Sequence, residues 1–260
     1  MTVRTRRVGL ALTDPADPSD RPTTSLPATV TAVVHTPTPA APIPVLLVPG
    51  AGGSLDSEPL VALAEVVATA GHRVVRANLP HHERGGRAPR ASTSVPAFAA
   101  ILAAARRELG VDETRTWVLG GRSYGGRVAS MAIADGLPAA GLLCSGYPLH
   151  PPGDPDQLRV AHWPDIGVPV LFVQGDADPM ADLALLRRHR RKLPRRSGLV
   201  VVPGGDHALR ITRARSPDGT ARSPAAALQT VGPEVAAWLH GLESEVVEPD
   251  HERDGGGPDD

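Results

Sequence analysis

The chain has 260 residues, with 27 Lys plus Arg against 28 Asp plus Glu and a formal net charge of −1. That length suits one large domain or two small ones, and the charge balance argues against a general nucleic-acid binder, which needs surplus cations. Hydrophobic residues make up 41% but aromatics only 3%, so a core has to be built mainly from Ala, Val and Leu, and no apolar run approaches the roughly 20 residues of a membrane helix.

From the N-terminus, Arg4, Arg6 and Arg7 precede an apolar run, Val8 to Leu12, that is too short for a signal peptide. Asp14 to Pro27, rich in Pro, Asp, Ser and Thr, reads as a loop between short N-terminal strands. Strands are expected at Ala28–His35, Val45–Val48, Arg73–Ala77, Thr116–Leu119, Ala140–Cys144, Val168–Gln174 and Gly198–Val202. Several are nearly continuous Val/Leu runs, the pattern of strands buried on both faces of a parallel sheet. Helical stripes fill the gaps. Leu60, Leu63, Val67 and Ala70 form one; Phe98, Ile101, Leu102, Ala105 and Leu109 a second; Leu228, Val231, Val235, Trp238, Leu239 and Leu242 a third, with Gly232-Pro233 starting the last helix afresh.

Alternating β and α units predict a single α/β domain over residues 1–242, with helices on both faces of a mostly parallel sheet. From Glu243 the chain turns Glu-, Asp- and Gly-rich, so residues 243–260 are expected to be a disordered tail. The sole cysteine, Cys144, excludes an internal disulfide and fits a reducing compartment. A cytoplasmic monomer or homodimer is the expectation.

The sharpest local signal is Leu119-Gly120-Gly121-Arg122-Ser123-Tyr124-Gly125-Gly126. It carries G-x-S-x-G at Gly121, Ser123 and Gly125, directly after a strand and before the amphipathic run Val128 to Ile133. A serine on a tight strand-to-helix turn is held in strained geometry, and glycines leave the room that such a turn needs. The helix N-terminus then aims amide donors at an oxyanion. A nucleophilic serine needs a base and an orienting carboxylate, in the order Ser, Asp or Glu, His, each on a loop after a strand. Val168–Gln174 runs into Gly175-Asp176-Ala177-Asp178-Pro179, and Gly198–Val202 runs into Pro203-Gly204-Gly205-Asp206-His207. His207 is therefore the candidate base. Asp178 and Asp176 compete as its orienter, and the turn before Pro179 favours Asp178. Val45–Val48 leads into Pro49-Gly50-Ala51-Gly52-Gly53, where backbone N–H groups can approach substrate oxygen. The Ala51 and Tyr124 N–H groups are the expected oxyanion donors. This loop lacks the endings of a P-loop or a dinucleotide fingerprint, so a nucleotide site is a weak reading.

Together, Pro49 to Gly53, Gly120 to Arg127, Gly175 to Pro179 and Gly205-Asp206-His207 resemble the α/β-hydrolase superfamily. More narrowly, they resemble its small dienelactone-hydrolase-like hydrolases, a group related to the α/β-hydrolase-like domain of a chromatin-associated nonspecific-lethal complex subunit. Asn78-Leu79-Pro80 followed by Glu83 to Pro89 also resembles that group, and the likeness spans roughly Ala28 to Leu242. Tyr124 stands where the group commonly has Met, and Ser123 where dienelactone hydrolases have Cys. The resemblance implies an α/β-hydrolase fold without a large cap and hydrolysis of an ester, thioester or similar acyl bond. Its implied partner is a small-molecule acyl substrate, with no cofactor, nucleic acid or membrane. A non-catalytic interaction domain and an acyltransferase with the same triad are the alternatives.

Other signals carry less. His81-His82-Glu83 could suggest a metal, but adjacent side chains rarely converge and no complementary cluster is evident. The basic run from Arg187 to Lys192 reads as a solvated helix end. Arg122, beside the nucleophile, and Arg87, in a loop after a strand, are candidates to bind an anionic group on the substrate. For Arg122 the favoured reading is a brace, packed against a neighbouring acidic residue to steady the elbow.

Overall fold

In the computed structural model, which describes residues 1–12, 26–112 and 114–247, eight strands form one sheet in the order β1-β2-β4-β3-β5-β6-β7-β8. The strands are β1 (Thr2–Ala11), β2 (Thr29–Thr38), β3 (Val45–Val48), β4 (Val74–Ala77), β5 (Val118–Arg122), β6 (Gly141–Ser145), β7 (Val170–Gly175) and β8 (Ser197–Val202). β1 pairs antiparallel with β2, and β2 antiparallel with β4, while every pairing from β4 to β8 is parallel. The inner strands are the near-continuous Val/Leu runs of the sequence, because helices cover both of their faces.

One face packs against α3 (Val95–Leu109), α4 (Tyr124–Ala134) and α5 (Leu183–Arg190), through Phe98, Ile101, Val128, Ala129 and Leu186. The other packs against α1 (Glu58–Thr69), α6 (Pro224–Thr230) and α7 (Gly232–Val247), through Leu60, Leu63, Leu228, Val235 and Leu239. Prolines and caps set the helix starts. Ser223 accepts from Ala226 N–H at the head of α6, and Asp182 from Leu185 N–H at the head of α5. α3 stops at Gly110, whose φ of 56° is left-handed. The restart expected at Gly232-Pro233 is the junction of α6 and α7.

Three features differ from the sequence reading. The arginine-bearing opening is a full ten-residue edge strand, β1; Arg6 pairs with Glu108 and Arg7 with Asp56, and such charges discourage edge-to-edge pairing. β5 begins later than expected and runs on to Arg122, since Val48 still pairs with Gly121 and Ser145 with Arg122. α7 continues beyond Glu243 to Val247; the rest of the expected tail and most of the loop from Asp14 lie outside the described residues. The connection from β6 to β7 holds a single 3-10 turn, Trp163–Asp165, and no helical cap. Tyr147 and Trp163 of this connection pack with Phe172 of β7, with ring centroids 5.3 to 5.7 Å apart. Trp163 Nε1 donates to Tyr147 Oη at 3.2 Å.

Candidate active site

Ser123 sits between β5 and α4 with φ 50° and ψ −115°, a region that costs a non-glycine residue about 1–3 kcal/mol. The neighbouring glycines allow it. A Cβ on Gly125 would lie 2.3 Å from the Val48 carbonyl oxygen and 2.6 Å from that of Pro49, so the elbow presses directly onto β3 and the loop after it. Ser123 N–H donates to the Ser145 carbonyl at 2.9 Å, holding the turn to β6.

The loops after β7 and β8 bring the other two groups to it. They meet back to back: a Cβ on Gly175 would lie 2.1 Å from the Gly205 carbonyl oxygen, so only glycine permits this approach. Asp176 accepts the Gly204 N–H at 2.6 Å, stapling one turn to the other. Asp206 accepts the N–H groups of Ala208 and Arg210 at 2.8 and 2.9 Å, shaping the turn that carries His207. His207 Nε2 then lies 2.8 Å from Ser123 Oγ, and His207 Nδ1 lies 2.8 Å from Asp178 Oδ2. A carboxylate only accepts, so Nδ1 carries the proton and Nε2 is free to accept from the serine hydroxyl.

Asp178 is buried, with Gln174 Nε2 donating to its Oδ2 at 2.5 Å and Met180 N–H to its Oδ1 at 2.8 Å. These donors satisfy a charge that would be costly to bury alone. Gln174 was not anticipated as a site residue; its signal is the one polar side chain within the apolar run Val170 to Val173 and Gln174.

Arg122 turns toward the loop that carries His207. Its Nη2 donates to the His207 carbonyl at 3.3 Å, burial lowers its pKa, and Asp178 and Asp206 oppose that shift. Arg87 is exposed on the loop after α2 (Pro80–Glu83), as are Arg84 and Arg90. Tyr124, the first residue of α4, hydrogen-bonds through Oη to Ser94 Oγ at 2.9 Å and meets the His81 ring edge-on at 5.6 Å. His81 is buried and its pKa is pushed down to about 4, chiefly by desolvation. The His81-His82-Glu83 segment splits by role: His82 reaches Gly50, and Glu83 reaches Thr31 on β2. Among the described residues no group of three or more His, Cys, Asp or Glu side chains could hold a metal ion. Cys144 is free and fully buried in β6, where desolvation raises its pKa and disfavours a reactive thiolate.

This strand order with a serine elbow has a match among known families. The family described as "Alpha/beta hydrolase domain" matches residues 42–238, well over half the chain. The chain belongs to the α/β-hydrolase family. Solved α/β hydrolases share its fold at low identity. Est1E from Butyrivibrio proteoclasticus is 17% identical, with a TM-score of 0.62, covering 83% of this chain and 95% of that one. A dienelactone hydrolase from Anabaena variabilis is 18% identical, with a TM-score of 0.62, covering 92% and 98%. XC6422 from Xanthomonas campestris, described as an α/β serine hydrolase without lid, is 18% identical, with a TM-score of 0.59, covering 93% and 94%. These neighbours share the fold of the chain, and among its described residues no helix is long and apolar enough to cross a membrane.

Proposed function

We propose that this α/β hydrolase cleaves an ester, thioester or similar acyl bond through an acyl-enzyme on Ser123. The continuous chain of 2.8 Å contacts from Ser123 Oγ through His207 to Asp178 carries the reading. Ser123 Oγ attacks the substrate carbonyl as His207 Nε2 takes its proton. Asp178 holds the imidazole tautomer and stabilises the imidazolium. The carbonyl oxygen becomes an oxyanion between the N–H groups of Ala51 and Tyr124, the latter at the positive end of α4. Collapse breaks the bond to the leaving group, which takes the proton from His207. Water, deprotonated by His207, then attacks the acyl-enzyme and restores Ser123. No step requires a dissociable cofactor.

Arg122 is the brace in this scheme, since its guanidinium contacts the loop of the base. Arg87 is the arginine whose exposure suits an anionic group on the substrate. The short β6–β7 connection supports an open site, as does the lidless description of one structural neighbour.

Active-site labelling tests the assignment. A fluorophosphonate should modify wild-type protein at Ser123, and Ser123→Ala should fold normally yet neither label nor hydrolyse esters. Labelling that survives the substitution would move the nucleophile elsewhere.

A further inference from the structure

The loop expected to supply an oxyanion donor, Pro49-Gly50-Ala51-Gly52-Gly53, is rich in glycine. Backbone preference alone leaves the orientation of a peptide in such a loop weakly determined, and the Gly53 N–H reaches the Gly50 carbonyl only at a long 3.3 Å. Its position matters, because a Cβ on Gly50 would lie 3.4 Å from Ser123 Cβ.

A side chain from α2 grips this loop. His82 Nε2 lies 3.0 Å from the Gly50 carbonyl oxygen, and His82 Nδ1 lies 3.2 Å from the Leu79 backbone N. The Leu79 N–H can only donate, so Nδ1 accepts and the ring proton resides on Nε2, which donates to Gly50. The bond to Leu79 is the reach-back half of a capping box, performed here by an imidazole. α2 is itself anchored. Glu83 accepts from the Thr31 N–H at 2.8 Å and from Asn78 Nδ2 at 2.9 Å, while Asn78 Oδ1 accepts the Leu55 N–H at 2.7 Å. The imidazole is thereby held between β2, α2 and the loop after β3.

The Gly50 carbonyl and the Ala51 N–H belong to one planar, trans peptide unit, in which they point in opposite directions. A donor fixed on the carbonyl therefore also fixes the direction of the N–H, and it polarises that N–H as a chained hydrogen bond does. We propose that His82 is a positioning residue for the oxyanion hole: by donating to the Gly50 carbonyl it holds the Ala51 N–H toward the substrate oxyanion. The inference rests on the proposed roles of Ser123 and Ala51, and it adds a group that never touches the substrate.

The test compares His82→Leu, which fills the space but cannot donate, with His82→Gln, whose amide N–H can reach the same carbonyl. Both are made in the full chain and assayed with a soluble nitrophenyl ester and with a trifluoromethyl ketone, which forms a tetrahedral oxyanion on the serine. His82→Leu should lower kcat about 10- to 100-fold, less than or equal to the loss of an oxyanion donor itself. KM should stay within about twofold, ketone affinity should fall by a similar factor to kcat, and His82→Gln should recover most of both. If His82→Leu fails to fold, His82→Gln against the shorter His82→Asn carries the same comparison. Undiminished kcat in His82→Leu, a loss of kcat with ketone affinity unchanged, or no recovery in Gln would each overturn the role of His82 alone. Wild-type protein that neither hydrolyses the ester nor labels with a fluorophosphonate at Ser123 would overturn the hydrolase reading, and the role of His82 with it.

Discussion

Asp176 and Asp178, two positions apart, share one turn yet make different contacts. Asp178 accepts from His207, Gln174 and Met180, whereas Asp176 accepts the Gly204 N–H and reaches no imidazole. Asp178→Asn should keep the geometry but favour the wrong imidazole tautomer, lowering kcat by about 10⁴. Asp176→Asn should cost mainly stability, about 1–2 kcal/mol for a weakened hydrogen bond to a charged acceptor. Steady-state kinetics and urea unfolding of both variants read this out, and the reverse ranking would overturn the assignment. Sequence alone left the two aspartates competing, because both precede the same helix and only Pro179 separates their settings. The elbow was more legible, since G-x-S-x-G states a local steric demand that Ser123 and Gly125 meet within five residues. Gln174 and His82 were not legible as site residues. Their partners lie on other elements, and His82 meets Gly50 across 32 residues of chain.

At the scale of elements, the antiparallel pairing of β2 and β4 carries a buried polar pair. Arg76 Nε donates to His35 Nε2 at 3.1 Å, and the Arg76 guanidinium also reaches the Leu55 carbonyl and Asp56. Desolvation, helped by the Arg76 charge, lowers the His35 pKa to about 4. His35 must therefore stay neutral in the folded chain, while the unfolded chain protonates it near pH 6.5. Its contribution to stability is therefore intact above about pH 6.5 and is lost progressively as pH falls toward about 4. His35→Gln keeps an acceptor for Arg76 but does not titrate. Urea unfolding of this variant should show a shallower loss of stability between those pH values than wild type, and identical slopes would refute the role. Strand existence was readable from the Val/Leu runs, and Val45–Val48 falls where it was expected. β1 was harder, because its arginines break the apolar pattern and its ten-residue length comes from pairing along the whole of β2.

The whole molecule places its chemistry at one end of the sheet. Loops after β3, β5, β7 and β8 meet there, as ligand sites do at the carboxyl ends of strands in open α/β sheets. The α/β class followed from alternating patterns along the chain, but the order β1-β2-β4-β3-β5-β6-β7-β8 is a three-dimensional outcome that periodicity does not encode. With only one 3-10 turn in the β6–β7 connection, nothing the size of a helical cap covers the site there. Hydrolysis of short-chain esters should accordingly rise smoothly with concentration through the solubility limit, and a sharp jump once droplets form would argue for a lid.

A covalent acyl intermediate on Ser123 can be trapped. Wild-type protein mixed with a nitrophenyl acetate, quenched in acid within the first turnovers and digested, should yield the Ser123 peptide carrying one acetyl group. Ester turnover with Ser123 unmodified, or with the acetyl group on another residue, would rule out Ser123 as the nucleophile.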